Sequence, residues 1–286
     1  MPELPFVTVV AENLAALITG RTVEDVIVRG VSVLKTFDPP ITALQGRAVA
    51  GVRRRGKLLL VDVTGGFVIV IHLRRNGRLR AAARGTGRSG RDLALVLALD
   101  RGPDIQMIEM GPKKAASVWL FPADGLEAAE PLTGLGIEPL SAGWTRDALA
   151  QALRTARMRL KAFLVTQRYV VGIGNTYADE ILWEARLSPQ AMTTALDDEE
   201  IGRLYRAVVA TLERGIAAHR TAAAGALPMK EPLDQLAVHR KGGEPCPRCG
   251  TRMAVIYYED RETYYCPTCQ AEGKVYADRR RSRLLR

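Results

Sequence analysis

The opening residues Met1-Pro2-Glu3 bring an amine and a carboxylate together in a way that suits covalent chemistry. Removal of the initiator Met makes Pro2 the N-terminus, and an α-amine titrates near ~8, well below a lysine side chain. Its unprotonated form can attack C1′ of a sugar and hold it as an iminium, while Glu3 relays protons to and from that sugar. Pro and Glu also suit the first turn of a helix, so a purely structural role stays open on these residues alone.

The four cysteines of the chain form two Cys-x-x-Cys pairs that are separated by sixteen residues. They are Cys246, Cys249, Cys266 and Cys269. Two such pairs predict tetrahedral thiolate ligation of one Zn²⁺, and four protein ligands leave the metal no open position, so the zinc should be structural. The intervening segment from Met253 to Tyr265 is expected to form a β-hairpin with its tip near Asp260 and Arg261.

A third segment, QRYVVGIGNTY from Gln167 to Tyr177, is a glycine-interrupted turn that leads into a helix from about Thr176 to Arg186. Asn175 is predicted to cap that helix. The backbone amides at such a helix start suit a phosphate of DNA. A capped helix with ordinary turn glycines is the alternative interpretation.

The elements that must position these residues change character along the chain. A helix is predicted from Pro5 to Ile18, with Gly20 as its stop. Residues 22 to 120 are predicted to contain short strands without intervening helices, which is typical of an antiparallel sandwich or barrel. The predicted strands are Val23 to Val28, Ala48 to Arg53, Leu58 to Val63, Phe67 to Leu73, Leu93 to Leu99 and Val118 to Phe121.

The second half is predicted to be helical. Thr145 should cap one helix, and Asp197, Asp198 and Glu200 should open a long one. The expected fold class is α+β: a β-sandwich domain with a leading helix (1–131), a linker (132–143), a helical domain (144–236), a zinc hairpin (237–274) and an Arg-rich basic tail (275–286).

Composition points to a polyanionic partner. The chain has 286 residues, with 41 Lys and Arg against 31 acids, a formal charge of +10 and a pI near 9.7; such a balance favours nucleic acid. The N-terminal residues lack a basic leader and the chain lacks an apolar run long enough to cross a bilayer. We therefore expect a cytoplasmic monomer that does not associate with membranes.

Five segments in the same order resemble the formamidopyrimidine-DNA glycosylase and endonuclease VIII family of base-excision repair enzymes. They are the MPELP start, RRGK, LGIEPL, QRYVVGIGNTYADEILWEARLSP and the CPRC and CPTC pairs. The resemblance covers nearly the whole chain, and it implies that residues 144–236 form a helix-two-turn-helix domain that binds DNA. It implies a DNA glycosylase with AP lyase activity, whose partner is damaged double-stranded DNA and whose metal is one structural Zn²⁺.

Roles follow from the resemblance position by position. Pro2 would be the nucleophile and Glu3 the proton shuttle, with Lys57 completing the catalytic set and contacting a phosphate beside the lesion. The remaining implied DNA contacts are His72, Arg75, Asn175 and Arg261. A flipped base exposes C1′, the amine displaces the base, and the iminium acidifies C2′ so that the strand breaks by β-elimination. The implied substrate is an oxidised purine.

Three departures from the family bear on substrate choice. Phe6 replaces a second acid and is expected to narrow and dry the pocket. The wedge segment, HLGM in the family, is His72-Leu73-Arg74-Arg75, and the loop from Ile108 to Lys114 lacks the family's Asp-x-Arg-x-Phe-Gly pattern.

These departures leave room for alkylated, bulky or cross-linked bases. They also leave room for a DNA damage or abasic-site binding protein without catalysis. A zinc-ribbon transcription or translation factor would account for the cysteines and the charge, but not for the N-terminal match.

Overall fold

The computed structural model describes residues 1–30, 32–258 and 261–276, which form two compact units. The first unit comprises Met1–Gly134 and Ile216–Pro232. The second comprises Leu135–Gly215 and the described residues from Leu233 onward. The Arg-rich stretch after Tyr276 and the hairpin residue Asp260 lie outside the described residues.

The first unit begins with helix α1 (Leu4–Ile18), as the apolar periodicity predicts. Its N-cap is Glu3, and Pro5 lies in the first turn, where its fixed φ suits a helix start. The helix is capped at Thr19, whose N–H donates to the Ala15 carbonyl at 3.0 Å, and Gly20 then turns the chain with φ +76°. The helix therefore ends where predicted and holds Glu3 at its N-terminal end.

Eight strands follow in the first unit and form two antiparallel four-stranded sheets. The strands are β1 (Val23–Val28), β2 (Val49–Arg55), β3 (Leu58–Val63), β4 (Phe67–His72), β5 (Gly77–Ala82), β6 (Leu93–Leu99), β7 (Asp104–Glu109) and β8 (Ser117–Pro122). One sheet has the order β1-β6-β7-β5 and the other β2-β3-β4-β8. The predicted antiparallel β architecture is confirmed, and β5 and β7 are additional to the predicted strands.

One hydrophobic cluster joins α1 to both sheets. It includes Val10 and Leu14 from the helix, Leu59 and Val61 from one sheet, and Leu97 from the other. Burying a large aliphatic side chain stabilises the fold by roughly 1.5–3 kcal/mol. This cluster fixes the helix, and with it the N-terminus, against the two sheets.

The second unit contains α2 (Arg146–Ala156), α3 (Leu160–Val165), α4 (Asn175–Ala185), the hairpin strands β9 (Ala254–Tyr257) and β10 (Glu262–Tyr265), and α6 (Pro267–Ala271). Thr145 Oγ1 accepts the Ala148 N–H at 3.1 Å, which confirms the predicted cap of α2. The predicted hairpin is also confirmed, with Ala254 paired to Tyr265 and Tyr257 to Glu262.

The long helix α5 (Asp198–Ala223) begins in the second unit, and its residues from Ile216 onward belong to the first. The segment that follows it, residues 224–232, also belongs to the first unit and is called the strap below. Leu227 of the strap joins the hydrophobic cluster of the sandwich. The Asn13 side-chain amide donates to the Ala226 carbonyl at 2.6 Å, which fastens the strap to α1.

Candidate active site and nucleic-acid interface

The N-terminal segment of the first unit combines an exposed residue, Met1, with two buried ones, Pro2 and Glu3. Pro2 is buried and Glu3 is only 4% exposed, whereas Met1 is half exposed. The Met1 amine is 3.9 Å from a carboxylate oxygen of Glu231, which reaches it from the strap. The two residues of the predicted amine and carboxylate pair are therefore held at the start of α1, within reach of a second carboxylate.

Lys57 lies in the two-residue turn between β2 and β3. Gly56 takes φ +56° at the first position of that turn, which glycine permits without strain. The Lys57 side chain is 7% exposed, and burial lowers the pKa of its amine, an effect that the charge of Glu3 partly offsets. The structure thus brings Lys57 and Glu3 into electrostatic contact.

His72 ends β4 at the same end of the sheet, because Leu58, the neighbour of Lys57, pairs with it across β3 and β4. The Arg74 N–H donates to His72 Nδ1 at 2.9 Å, so this nitrogen must carry a lone pair. Burial, followed by the charges of Arg74 and Lys57, lowers the pKa of His72 to about 3. At neutral pH the ring is uncharged, and its Nε2 carries the proton.

The turn after His72 presents two exposed cations. Arg74 has φ +53°, a left-handed conformation that costs a non-glycine residue about 1 kcal/mol or more, and Arg75 follows it on the surface. The Met110 N–H donates to the Asn76 carbonyl at 3.0 Å, which places the loop after β7 against this turn. Met110 is 41% exposed there, so an apolar side chain accompanies the two arginines.

Phe6 does not face solvent but belongs to the hydrophobic cluster, with 1% exposure. The Arg78 guanidinium lies 5.1 Å from the centroid of its ring, and the His219 ring meets it edge-on at 5.9 Å. Arg78 also donates from Nε to the Met229 carbonyl of the strap at 3.0 Å. Burial lowers the pKa of Arg78, and the charge of Glu231 opposes this.

In the second unit, Asn175 and Arg261 line one cleft of about 190 Å³. The prediction that Asn175 caps α4 is wrong, because Gly174 occupies the N-cap position and Asn175 is the first helical residue. Asn175 instead lies beside the cleft, where the positive end of the helix dipole favours an anion. The cleft therefore combines an amide, a guanidinium and a helix N-terminus, as a phosphate site requires.

A buried ion pair fixes the hairpin strand next to Arg261. The Lys161 amine forms an ion pair with Asp179 Oδ1 at 2.7 Å, and it donates to the Glu262 carbonyl at 2.8 Å and to the Thr263 hydroxyl at 2.9 Å. The second oxygen of Asp179 lies 2.7 Å from His239 Nδ1. The sequence analysis did not predict this network, because its members are distant from one another in sequence.

The four cysteine sulfurs lie within 4.8 Å of one another. Cys249 and Cys266 are 3.4 Å apart, and Cys246 and Cys269 4.0 Å. Zn–S bonds of about 2.3 Å in tetrahedral geometry place sulfurs about 3.8 Å apart, so the cluster fits a bound metal ion. All four predicted ligands converge on one point.

Helix α4 contacts the segment that contains the four cysteines, residues 237–269, which is called the cysteine module below. The Trp183 indole N–H donates to Cys246 Sγ at 3.4 Å, and the Arg248 guanidinium stacks 3.9 Å from the Trp183 ring. The Glu180 carboxylate accepts three backbone N–H groups of residues 237–239 at 2.8–2.9 Å. Burial nevertheless raises the pKa of Glu180. These contacts connect α4, and so the Asn175 end, to the cysteine module.

These features define a DNA-repair class of protein: an antiparallel sandwich with Pro2 and Glu3 buried at the start of its leading helix, and a helical unit with a four-cysteine hairpin. A model of the formamidopyrimidine-DNA glycosylase N-terminal domain matches residues 1–113, and one of that family's H2TH domain matches residues 135–224. The chain belongs to the formamidopyrimidine-DNA glycosylase family and is a base-excision repair DNA glycosylase with the AP lyase activity general to that family.

Relatives with this name are similar along almost their whole length. The formamidopyrimidine-DNA glycosylase of Pelotomaculum thermopropionicum is 34% identical over 94% of this chain and 99% of its own. That of Chloroflexus aurantiacus is 35% identical over 94% and 98%. A crystal structure of a Lactococcus lactis Fpg mutant with Fapy-dG DNA matches with a TM-score of 0.85 and 26% identity, covering 94% of this chain and 100% of that one.

The comparisons confirm the predicted family, fold class and enzyme class. They do not test the roles of single residues. Glu231, Arg78 and the Lys161 network were not predicted, because each depends on a contact between distant parts of the chain. Among the described residues, no helix is long and apolar enough to cross a membrane.

Proposed function

We propose that the chain removes a damaged base from double-stranded DNA through an iminium between Pro2 and C1′, and then cleaves the abasic site by β-elimination. The observation that carries this proposal is the buried Pro2 and Glu3 pair at the head of α1, with Lys57 beside it. A free amine, a carboxylate and a cation are the groups that the reaction needs for attack, proton transfer and phosphate binding.

The site residues divide the work. Pro2 attacks C1′, and Glu3 moves a proton between nitrogen and sugar. Lys57 binds a phosphate beside the lesion; burial lowers the pKa of its amine, and the charge of Glu3 opposes that shift. His72 is uncharged and serves as a hydrogen-bond donor through Nε2.

The extruded nucleotide leaves a gap in the base stack. Arg75 is exposed on the turn after β4 and lies next to the contact between Asn76 and Met110. We assign Arg75 to the vacated stack, where its planar guanidinium can stack on bases. Met110 provides an apolar surface beside it.

Phosphate binding in the second unit falls to Asn175 and Arg261. They share a cleft, and the N-terminus of α4 opens at the same place. These contacts position the duplex and do not read its sequence.

The cysteine cluster holds one Zn²⁺ in this proposal. The sulfur spacing fits tetrahedral thiolate ligation, and four thiolates leave no position for a reacting water. The metal therefore stabilises the hairpin that carries Arg261 and takes no part in the reaction. One chain supplies every group named above, so we expect a monomer, and the relatives are bacterial, so we expect the bacterial cytoplasm.

The substrate class is an oxidised purine or a formamidopyrimidine. Solved Lactococcus lactis Fpg complexes contain Fapy-dG, N7-benzyl-Fapy-dG and abasic-site DNA, so relatives of this chain accommodate ring-opened purines. The test is borohydride trapping of the processed protein on duplexes that carry an abasic site, 8-oxoguanine, a formamidopyrimidine or an alkylated purine.

Covalent trapping on the abasic site and on an oxidised or ring-opened purine would support the proposal. Trapping only on the alkylated purine would show that alkylated purines, and not oxidised ones, are the substrate class. No trapping on any duplex by protein that lacks Met1 would contradict the covalent mechanism. Pro2→Gly serves as the control, because it removes the secondary amine while leaving the chain length unchanged.

A further inference from the structure

Arg78 is a buried cation on β5 that has no part in the roles assigned above. The residue is 8% exposed, and its guanidinium donates to main-chain carbonyl oxygens. Burial of a charged group is costly unless its N–H groups are hydrogen-bonded. The acceptors of Arg78 therefore indicate which parts of the fold this side chain holds together.

The guanidinium of Arg78 connects three parts of the first unit. Its Nη1 donates to the Arg75 carbonyl at 3.2 Å and to the Gly77 carbonyl at 2.7 Å, in and beside the turn after β4. Its Nε donates to the Met229 carbonyl of the strap at 3.0 Å. Its Cζ lies 5.1 Å from the centroid of the Phe6 ring on α1. One side chain thus contacts the turn, the strap and the leading helix.

The turn after β4 depends on contacts with its surroundings. Arg74 has φ +53° there, and such a conformation persists in a non-glycine residue only when the surrounding structure holds it. Arg78 binds the carbonyl of the next residue, Arg75, so it contacts the main chain directly beside the strained position. The Arg75 side chain is exposed, and its direction follows from this backbone.

The other two partners of Arg78 are firmly placed. Phe6 is 1% exposed and belongs to the hydrophobic cluster of the sandwich. The strap is anchored to the same cluster by Leu227 and to α1 by a hydrogen bond from the Asn13 side chain. Arg78 therefore connects the strained turn to parts of the unit that are packed in the core.

We propose that Arg78 is a positioning residue that holds the backbone of Arg75, so that the Arg75 guanidinium enters the base stack when the damaged nucleotide leaves it. This inference rests on the proposed function, which assigns Arg75 to that gap. Arg78 is too buried to enter the stack itself and acts through Arg75. A turn that is already fixed loses less conformational entropy when its side chain inserts, which favours the extruded state of the damaged base.

The chemistry of the arginine side chain suits this task. Its planar group offers N–H donors in fixed, divergent directions, so Nε can bind the strap while Nη1 binds the turn. A lysine ammonium is a single point on a flexible stem and cannot reproduce that fork. Arg80, two positions further along β5, is exposed and donates to the Gln106 side chain at 2.9 Å instead.

The test is a double-mutant cycle on the single-turnover excision of a formamidopyrimidine opposite cytosine in duplex DNA. Arg75→Ala and Arg78→Met should each slow excision by about 10-fold, because a misplacement of ~1 Å can cost as much as 10²-fold. The double variant should be no slower than Arg75→Ala alone, because Arg78 then has no side chain left to position. Arg78→Lys should recover only part of the rate.

Arg80→Met is the matched control and should excise the base at the wild-type rate. Arg78→Met at the rate of this control, or a double variant slowed by the product of the two single effects, would overturn the inference. Equal thermal unfolding midpoints would show that a loss of rate is not a loss of fold. If Arg78→Met unfolds at a lower temperature, the same cycle and criterion apply to Arg78→Lys.

Failure of the proposed function gives a different result. If Arg75→Ala excises the base as fast as wild type, the assignment of Arg75 to the stack is wrong, and the role of Arg78 is refuted with it. If wild-type protein does not excise the base, the proposed substrate class is wrong. A slowed Arg75→Ala beside an unaffected Arg78→Met would refute the positioning role alone.

Discussion

The ion pair of Lys161 and Asp179 should be a main source of hairpin stability in the second unit. The Lys161 amine makes three contacts shorter than 3 Å, two of them to β10, and its side chain is 9% exposed. Asp179 is fully buried on α4. Replacing Lys161 with Met keeps the length of the side chain but leaves the buried Asp179 side chain with the His239 ring, 2.7 Å away, as its remaining side-chain contact.

The expected cost follows from that burial. Removing one member of a buried pair typically destabilises by about 3–5 kcal/mol, and because His239 stays 2.7 Å from Asp179, the lower end of that range applies. A double variant, Lys161→Met with Asp179→Leu, removes both charges. It should recover at least half of the loss, because no buried charge is then left uncompensated.

The assay is native-state hydrogen exchange of the backbone amides in β9 and β10. The free energy of opening should fall by about 3 kcal/mol in Lys161→Met. Lys241→Met is the matched control. Its ion pair with Glu244 is 3.7 Å long and on the surface, so it should change opening by less than about 1 kcal/mol. A Lys161→Met effect no larger than the control, or a double variant as costly as both single changes added, would refute the reasoning.

Three further predictions concern the metal, a histidine and a lysine. Cys249→Ser should release zinc, loosen the hairpin and weaken DNA binding; unchanged zinc stoichiometry and affinity would count against the ligand assignment. The pKa of His72 falls from 6.5 unfolded to about 3 folded, so its contribution to stability is present above pH 6.5 and lost as the pH falls from 6.5 towards 3. The slope is at most about 1.4 kcal/mol per pH unit, and urea unfolding of His72→Gln should lack it. A variant with the same slope as wild type would contradict this assignment. Lys57→Gln should reduce the salt slope of duplex binding by roughly one, without changing sequence preference; an unchanged slope would argue against its phosphate contact.

Periodicity and composition predicted much of this fold because the signals are local. Helix α1 and strands such as β3 and β6 are almost wholly apolar, so their own residues specify them. The spacing of the four cysteines likewise predicted that their sulfurs would lie close together around one metal ion. Where the residues that determine an element all lie within one short segment, the sequence is sufficient to predict that element.

Strands β5 and β7 escaped prediction because their polar residues have distant partners. Every residue of β7 is buried, including Asp104 and Glu109. Arg88 and the Gly85 N–H bind Asp104 Oδ2, and the N–H groups of residues 115 and 116 bind Glu109 Oε1. Polar residues in such a run suggest a loop until those partners are known.

The candidate site divides in the same way. Sequence motifs predicted Pro2, Glu3 and Lys57 as site residues. Their spacing in the sequence did not show that Lys57 lies near Glu3, and the structure places the two close together. Asn175 shows the reverse: its type suits an N-cap, but Gly174 takes that position and the Asn side chain is left for the cleft. Glu231 had no local signal, because only the path of the strap brings it to the amine.

The most direct test of the central claim is peptide mapping of the borohydride-trapped complex with abasic DNA. Mass spectrometry of the digested adduct locates the sugar on a single residue. We predict that the sugar is attached to the nitrogen of Pro2, on an N-terminal peptide that lacks Met1. Attachment to the buried amine of Lys57 would contradict this prediction.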